Sequence, residues 1–169
     1  MEEIYKTIEG FENYEVSNFG HIKNKKTGKI LKGCPNEKRY LKTILYKDKK
    51  AKNFKIHRLV GITFLDNPLN KPQIDHIDNN KNNNNLNNLR WATISENQMN
   101  TKIKSNNTSG IKGVSWSKSS KKWLAPIAID GISIYLGTFD NIEDAKTARI
   151  NKVNEVFGVF VNHTEKINP

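Results

Sequence analysis

The chain of 169 residues carries 28 Lys and Arg against 17 Asp and Glu, a net charge of +11, and only 36% of it is hydrophobic. That length holds one ordinary domain or two to three very small ones, and no apolar run approaches the roughly 20 residues of a membrane span. The lone cysteine, Cys34, rules out an internal disulfide and a zinc site built on several thiolates. With no apolar stretch near the N-terminus, the expected setting is reducing and cytoplasmic. Every third of the chain has a basic excess, which suits a protein that follows a polyanion over a long footprint. A solubilising surface has the same composition, so charge alone does not decide between them.

Residues 1–50 contain short β-type runs, Tyr14-Glu15-Val16 and Leu41-Lys42-Thr43-Ile44-Leu45-Tyr46, separated by turn signals such as Asn18-Phe19-Gly20 and Lys26-Thr27-Gly28-Lys29. Residues 51–104 open with a predicted helix at 57–64, where Leu59, Val60, Thr63 and Phe64 fall at helical spacing. It ends before Asn67-Pro68. Eight of the ten residues from Asn79 to Asn88 are asparagine. Such a stretch can be a solvated, disordered segment. Two apolar runs flank it, however, Gln73-Ile74-Asp75-His76-Ile77 and Leu89-Arg90-Trp91-Ala92-Thr93, and two strands joined by a turn-rich loop explain the pattern better. Ser95 with Gln98 three positions on has capping-box spacing and predicts a helix over 95–104.

Residues 105–109 form a polar linker. Beyond it, 113–117, 123–129 and 132–137 alternate as strands, with Asp130-Gly131 as a hairpin turn. Asp140 or Asn141 can cap a helix over 142–157 that carries Ala145, Ala148, Val153 and Phe157 on one face, and Gly158 can end it.

Asp75 and His76 at a strand end, Asn88 in the loop and Asn97 near a helix start make one candidate site. Cutting a phosphodiester needs an activated water, a cation on the phosphate oxygens and a grip on the strand. A neutral imidazole can take the proton from water, which suits His76 to the role of general base. Asp75 offers an anionic oxygen and Asn97 an amide oxygen, a hard donor pair fitted to Mg²⁺ or Mn²⁺ rather than Zn²⁺. Adjacent strand residues point to opposite faces, so Asp75 and His76 share a site only where the strand bends or ends.

The run from Ile74-Asp75-His76 through Asn88-Leu89-Arg90-Trp91 to Asn97 resembles the HNH nucleases, and within them the phage and intron-encoded homing endonucleases. The resemblance implies a β-β-α fold around one metal ion, with His76 as general base, Asp75 and Asn97 as ligands and Asn88 as the asparagine that braces the loop. The third residue of the family pattern, often His, is Asn97 here. Gly10-Phe11-Glu12-Asn13-Tyr14-Glu15-Val16-Ser17-Asn18 with Gly20 is similar to the N-terminal module of such enzymes, with Tyr5 where a Trp is usual. His57-Arg58-Leu59-Val60 matches the segment ahead of the nuclease motif.

The third region resembles the APETALA2 DNA-binding domain through Gly113-Val114, Trp116, Lys122-Trp123, Ala125, Ile127, Tyr135-Leu136-Gly137-Thr138-Phe139 and Glu143-Asp144-Ala145. By that resemblance its sheet enters the major groove, with Lys112, Ser115, Trp116, Lys118, Lys122 and Trp123 on the DNA face. Beside the nuclease motif, Arg90 is a further expected DNA contact. Lysine in place of the plant domains' arginines favours phosphate contact over base reading. For Trp91 core packing is the expectation.

The expected architecture is α+β in modules: an N-terminal DNA-binding module at 1–50, a nuclease core at 51–104, a linker at 105–109 and a DNA-binding domain at 110–169, three antiparallel strands packed on one helix. The expected function is a monomeric, metal-dependent endonuclease that nicks double-stranded DNA, in the cytoplasm of a bacterial or phage-infected cell. The alternative is a DNA-binding regulator on a non-catalytic nuclease scaffold.

Overall fold

A computed structural model describes residues 2–162. The chain divides into two compact units, one up to residue 92 and one from residue 93 onward.

The first unit begins with an antiparallel sheet of four strands in sequential order, β1 (Tyr5–Ile8), β2 (Phe11–Ser17), β3 (Ile22–Asn24) and β4 (Ile30–Leu31). A second antiparallel sheet holds β5 (Cys34–Pro35), β6 (Leu41–Lys47) and β7 (Lys50–Lys55). The β6–β7 turn places Asp48 and Lys49 at φ of 50° and 63°, both left-handed, the geometry whose twist matches a tight hairpin. Helix α1 (Ile56–Phe64) follows directly, and then the two-stranded hairpin β8 (Gln73–His76) and β9 (Leu89–Ala92).

One apolar core draws on all of these elements except β5. Val16, Ile22 and Leu45 from the sheets meet Ile56, Leu59 and Val60 of α1 and Ile74 and Leu89 of the hairpin. The N-terminal strands and the β8–β9 hairpin therefore bury their faces against the same helix. Gly61 makes that approach feasible, because a Cβ there would sit 1.9 Å from Ile74 Cδ1. Trp91 packs against this core and donates its indole N–H to Leu65 O at 3.1 Å, as its core reading requires.

The second unit opens with α2 (Ile94–Asn100). Its N-cap is Thr93, not Ser95, and the box partner is Glu96, not Gln98: Thr93 Oγ1 accepts from Glu96 N at 3.1 Å and Glu96 Oε2 accepts from Thr93 N at 2.6 Å. Ser95 lies inside the helix, buried, with its hydroxyl accepting from Asp130 N at 2.9 Å. The helix is also shorter than expected, because Thr101 already has extended dihedrals. Strands β10 (Ser115–Ser117), β11 (Lys122–Ile129) and β12 (Ile132–Phe139) form an antiparallel sheet, and α3 (Ile142–Phe157) packs on it. Val153 and Phe157 of α3 pack with Ile127 of β11 and Met99 of α2, and Ala145 packs with Ala125 and Val114 in a second cluster. Asn141 caps α3 by accepting from Glu143 N at 2.9 Å, and Gly158 at φ 43° ends it.

Candidate functional site

Strand β8 stops at His76, and its last three side chains are buried. Alternation sends them to two sides. Ile74 and His76 pack toward α1, where the His76 ring meets the His57 ring edge-on at 4.9 Å. Asp75 faces the other way and pairs with Arg90, its direct cross-strand partner, whose Nε and Nη2 both lie 2.9 Å from Oδ2. Asp75 and His76 are thus neighbours in the chain with separate partners.

The His76 imidazole is oriented by Asn84, whose Oδ1 lies 3.1 Å from Nε2. An amide oxygen only accepts, so Nε2 carries the hydrogen and the lone pair is on Nδ1. Burial depresses the His76 pKa, while the Asn84 bond and the carboxylates of Asp75 and Asp78 oppose that shift. The net direction keeps the ring neutral at pH 7. His57, buried beside it, is pushed down to about 3, first by burial and then by His76, Lys55 and Arg58.

The asparagine-rich loop is built of repeated turns in which a side chain accepts from the backbone two residues on. Asp78 accepts from Asn80 N at 2.7 Å, Asn80 from Asn82 N at 3.1 Å, Asn83 from Asn85 N at 3.4 Å and Asn85 from Asn87 N at 3.1 Å. Asn88 fastens the two ends. Its Oδ1 accepts from Asp78 N at 3.0 Å, and its Nδ2 donates to Asp78 Oδ1 and Asn83 O, both at 2.8 Å. Burial alone raises the Asp78 pKa, but bonds from Asn83, Asn80 and Asn88 outweigh it and hold the carboxylate below its ordinary value.

The N-terminal strands support this loop from outside. Leu86 N donates to Asn18 O at 2.7 Å. Gly20, at φ 85°, lies so close to Asn84 that a Cβ would fall 2.8 Å from the Asn84 Cβ. Asn84, Gly20 and Asn18 were not singled out from sequence as site residues. Asn84 was hidden in a run of identical asparagines, and only its distance to His76 separates it from the rest.

Asp75, His76, Asn88 and Arg90 belong to the first unit, whereas Asn97 lies on α2 of the second, half-buried, with its backbone N bonded to Thr93 O. Taken singly, a carboxylate and an amide oxygen are both donor types that suit a hard cation. Among the described residues, no three His, Cys, Asp or Glu side chains converge as a closed zinc site would require.

In the second unit, Ser115, Trp116 and Lys118 are exposed on and after β10. Trp116 and Trp123 are cross-strand partners with rings 5.1 Å apart, and Trp123 also packs against Val114, Ala125 and Ala145. Lys122 pairs with Asp140 at 3.1 Å. Lys112 donates to Gln98 O, Met99 O and Thr101 O at 2.9, 2.7 and 2.9 Å, closing the C-terminal carbonyls of α2.

A β-β-α order that carries a buried histidine at the first strand's end and a braced loop behind it defines a class of nuclease. The NUMOD4 motif matches residues 3–59 and the HNH endonuclease model matches residues 54–99. An HNH endonuclease of Acanthamoeba polyphaga mimivirus is 38% identical over 141 residues, 83% of this chain and 39% of the relative. The DNA endonuclease I-HmuI of Bacillus phage SP01 is 37% identical over 99 residues, 56% of this chain and 57% of the relative. A solved structure of DNA binding and cleavage by the HNH homing endonuclease I-HmuI covers all of both chains at 31% identity and a TM-score of 0.54. This chain belongs to the HNH endonuclease family, with a mixed α and β fold like that of the homing endonuclease. It spans 25 to 57% of the length of the curated relatives it matches. Among the described residues no helix is long and apolar enough to cross a membrane.

Proposed function

We propose that this chain is a metal-dependent DNA endonuclease of the homing type that hydrolyses one phosphodiester of a duplex per encounter and so nicks it. The observation that carries the reading is the His76 imidazole, buried, kept neutral and held by Asn84 so that its lone pair is on Nδ1. That nitrogen takes the proton of the attacking water. Asn84 keeps the hydrogen on the opposite nitrogen, and the His57 ring fixes the imidazole plane.

Asp75 and Asn97 would hold one Mg²⁺ or Mn²⁺ through their oxygens, and Arg90 holds the Asp75 carboxylate in place. When bound, the ion would supply positive charge to the phosphate under attack. Asn88 acts through the loop, which it locks at both ends. The expected products are a 5′-phosphate and a 3′-hydroxyl.

The duplex is positioned by the basic modules on either side of the motif, 1–50 ahead of it and the APETALA2-like 110–169 beyond the linker at 105–109. On the latter, Ser115, Trp116, Lys118, Lys122 and Trp123 meet the DNA, mainly at phosphates. Lys112 supports that surface through the end of α2. The protein works as a monomer in the cytoplasm of a bacterial or phage-infected cell.

The test is incubation of supercoiled plasmid carrying candidate target sites with the purified chain, in Mg²⁺ and in EDTA. Open-circle DNA that appears only with Mg²⁺ is the expected result. Tight duplex binding at a footprinted site that stays intact in Mg²⁺ and Mn²⁺ would favour a binding regulator on a retired nuclease scaffold.

A further inference from the structure

Three segments distant in the chain converge on one aromatic ring in the first unit. Tyr40 stands just before β6, Lys55 ends β7 and Lys81 lies in the asparagine-rich loop. The Lys81 ammonium is 4.6 Å from the Tyr40 ring centroid, and the Lys55 ammonium is 5.1 Å from it. Lys81 also donates to Lys38 O at 3.1 Å, which holds it in place. Neither ammonium forms an ion pair among the described residues. The same ring lies 4.9 Å from His57 and 5.9 Å from His76.

Two cations over one ring repel each other, and a cation–π contact returns only about 0.5–1 kcal/mol each at exposed sites. Their convergence beside the proposed general base therefore suits an anion between or above them. The His57 ring beside Tyr40 is only 4% exposed, with its Nδ1 buried and without a hydrogen-bond partner. Burial, and then the Asp75 carboxylate, raise the Tyr40 phenol above its ordinary value, so its hydroxyl remains a neutral donor.

We propose that Tyr40, Lys55 and Lys81 form a seat for one backbone phosphate of the DNA strand being cut, next to the phosphate that His76 serves. The proposal rests on the nuclease reading for the identity of the anion. The seat fixes the strand's position along the loop, as phosphate contacts do. The proposed DNA contacts read from sequence include none of these three residues, because their pairing arises only when β7 and the loop fold against Tyr40.

The test measures equilibrium binding of a labelled duplex by the full chain in EDTA, across a salt series. The Lys55→Gln/Lys81→Gln variant is compared with Lys146→Gln/Lys152→Gln, which removes two ion-paired lysines of α3. Loss of one seated phosphate lowers the magnitude of the log–log salt slope by about 1 and weakens low-salt binding about tenfold. Duplexes with a single neutral methylphosphonate give the decisive arm. At one position the substitution weakens the unmodified chain but not the Lys55→Gln/Lys81→Gln variant. An unchanged slope, or a penalty of equal size in both proteins at every position, overturns the seat. Unfolding curves check that the variants keep the fold, and the single variants provide the same reading at smaller amplitude. Binding in EDTA needs no cleavage, so a seat can be established in a chain that proves inactive. A binding advantage for free inorganic phosphate over duplex DNA would also overturn it.

Discussion

His57 and His76 pose opposite demands on neighbouring imidazoles. As the proposed base His76 must keep a lone pair available, and Asn84 favours that by accepting from the other nitrogen. His57 has only to stay neutral, since a second imidazolium 4.9 Å away would push charge off His76. That neutrality couples folding to pH. An unfolded His57 binds a proton near the ordinary value of about 6.5, whereas the folded one does so only near 3. Unfolding therefore takes up a proton between those values, and the stability present above pH 6.5 is lost as pH falls toward 3. Each unit of depression is worth about 1.4 kcal/mol. The expected outcome is that His57→Phe lacks this component. Melting temperatures measured from pH 7 to pH 4 should fall less steeply in the variant, and parallel falls would contradict it.

Among the elements, the asparagine-rich loop shows what was legible in the chain and what was not. Its place between two strands followed from the apolar runs at 73–77 and 89–93, and its order followed from asparagine's side-chain turns. The assignment of single asparagines did not, since Asn83, Asn84 and Asn85 are chemically identical and differ only in what folds against them. The α2 cap failed for a related reason. Thr93 with Glu96 and Ser95 with Gln98 both satisfy the spacing, and the choice is made by Asp130 N, which occupies the Ser95 hydroxyl from a remote turn. Strand β7, rich in lysine and poor in apolar residues, was not legible either, because it is held by β6 and not by its own pattern. In contrast, α3 and the Asp130-Gly131 turn carry local signals strong enough to be read directly.

At the same scale, the N-terminal strands are part of the support of the asparagine-rich loop. Gly20→Ala meets both a left-handed φ and the Asn84 side chain, while Gly28→Ala, at φ 69° with nothing within 4 Å, meets only the first. The left-handed penalty is about 1–2 kcal/mol in each. Denaturant unfolding should show a further loss for Gly20→Ala. Cleavage should fall in that variant and not in Gly28→Ala. Equal losses would mean that the Gly20–Asn84 approach is incidental.

Across the whole chain, a basic excess runs through every third, and the first unit is built on one shared core; a grip on a duplex is the proposal these features support. Composition was compatible with a polyanion partner without deciding it, and the Asp75-His76 run pointed to the reaction only through its resemblance to a family. What composition and spacing left out is the packing that turns a common dipeptide into a site: Arg90 on one face, and Asn84, His57 and Tyr40 on the other. The central claim is that His76 takes the proton of the attacking water. It is tested most directly by single-turnover cleavage of one duplex by the unmodified chain and by His76→Ala, with duplex affinity measured for both. The account predicts a rate lower by at least about 10²-fold in the variant, with affinity within a few-fold of the unmodified chain. A variant that binds and cuts at the unmodified rate would contradict it.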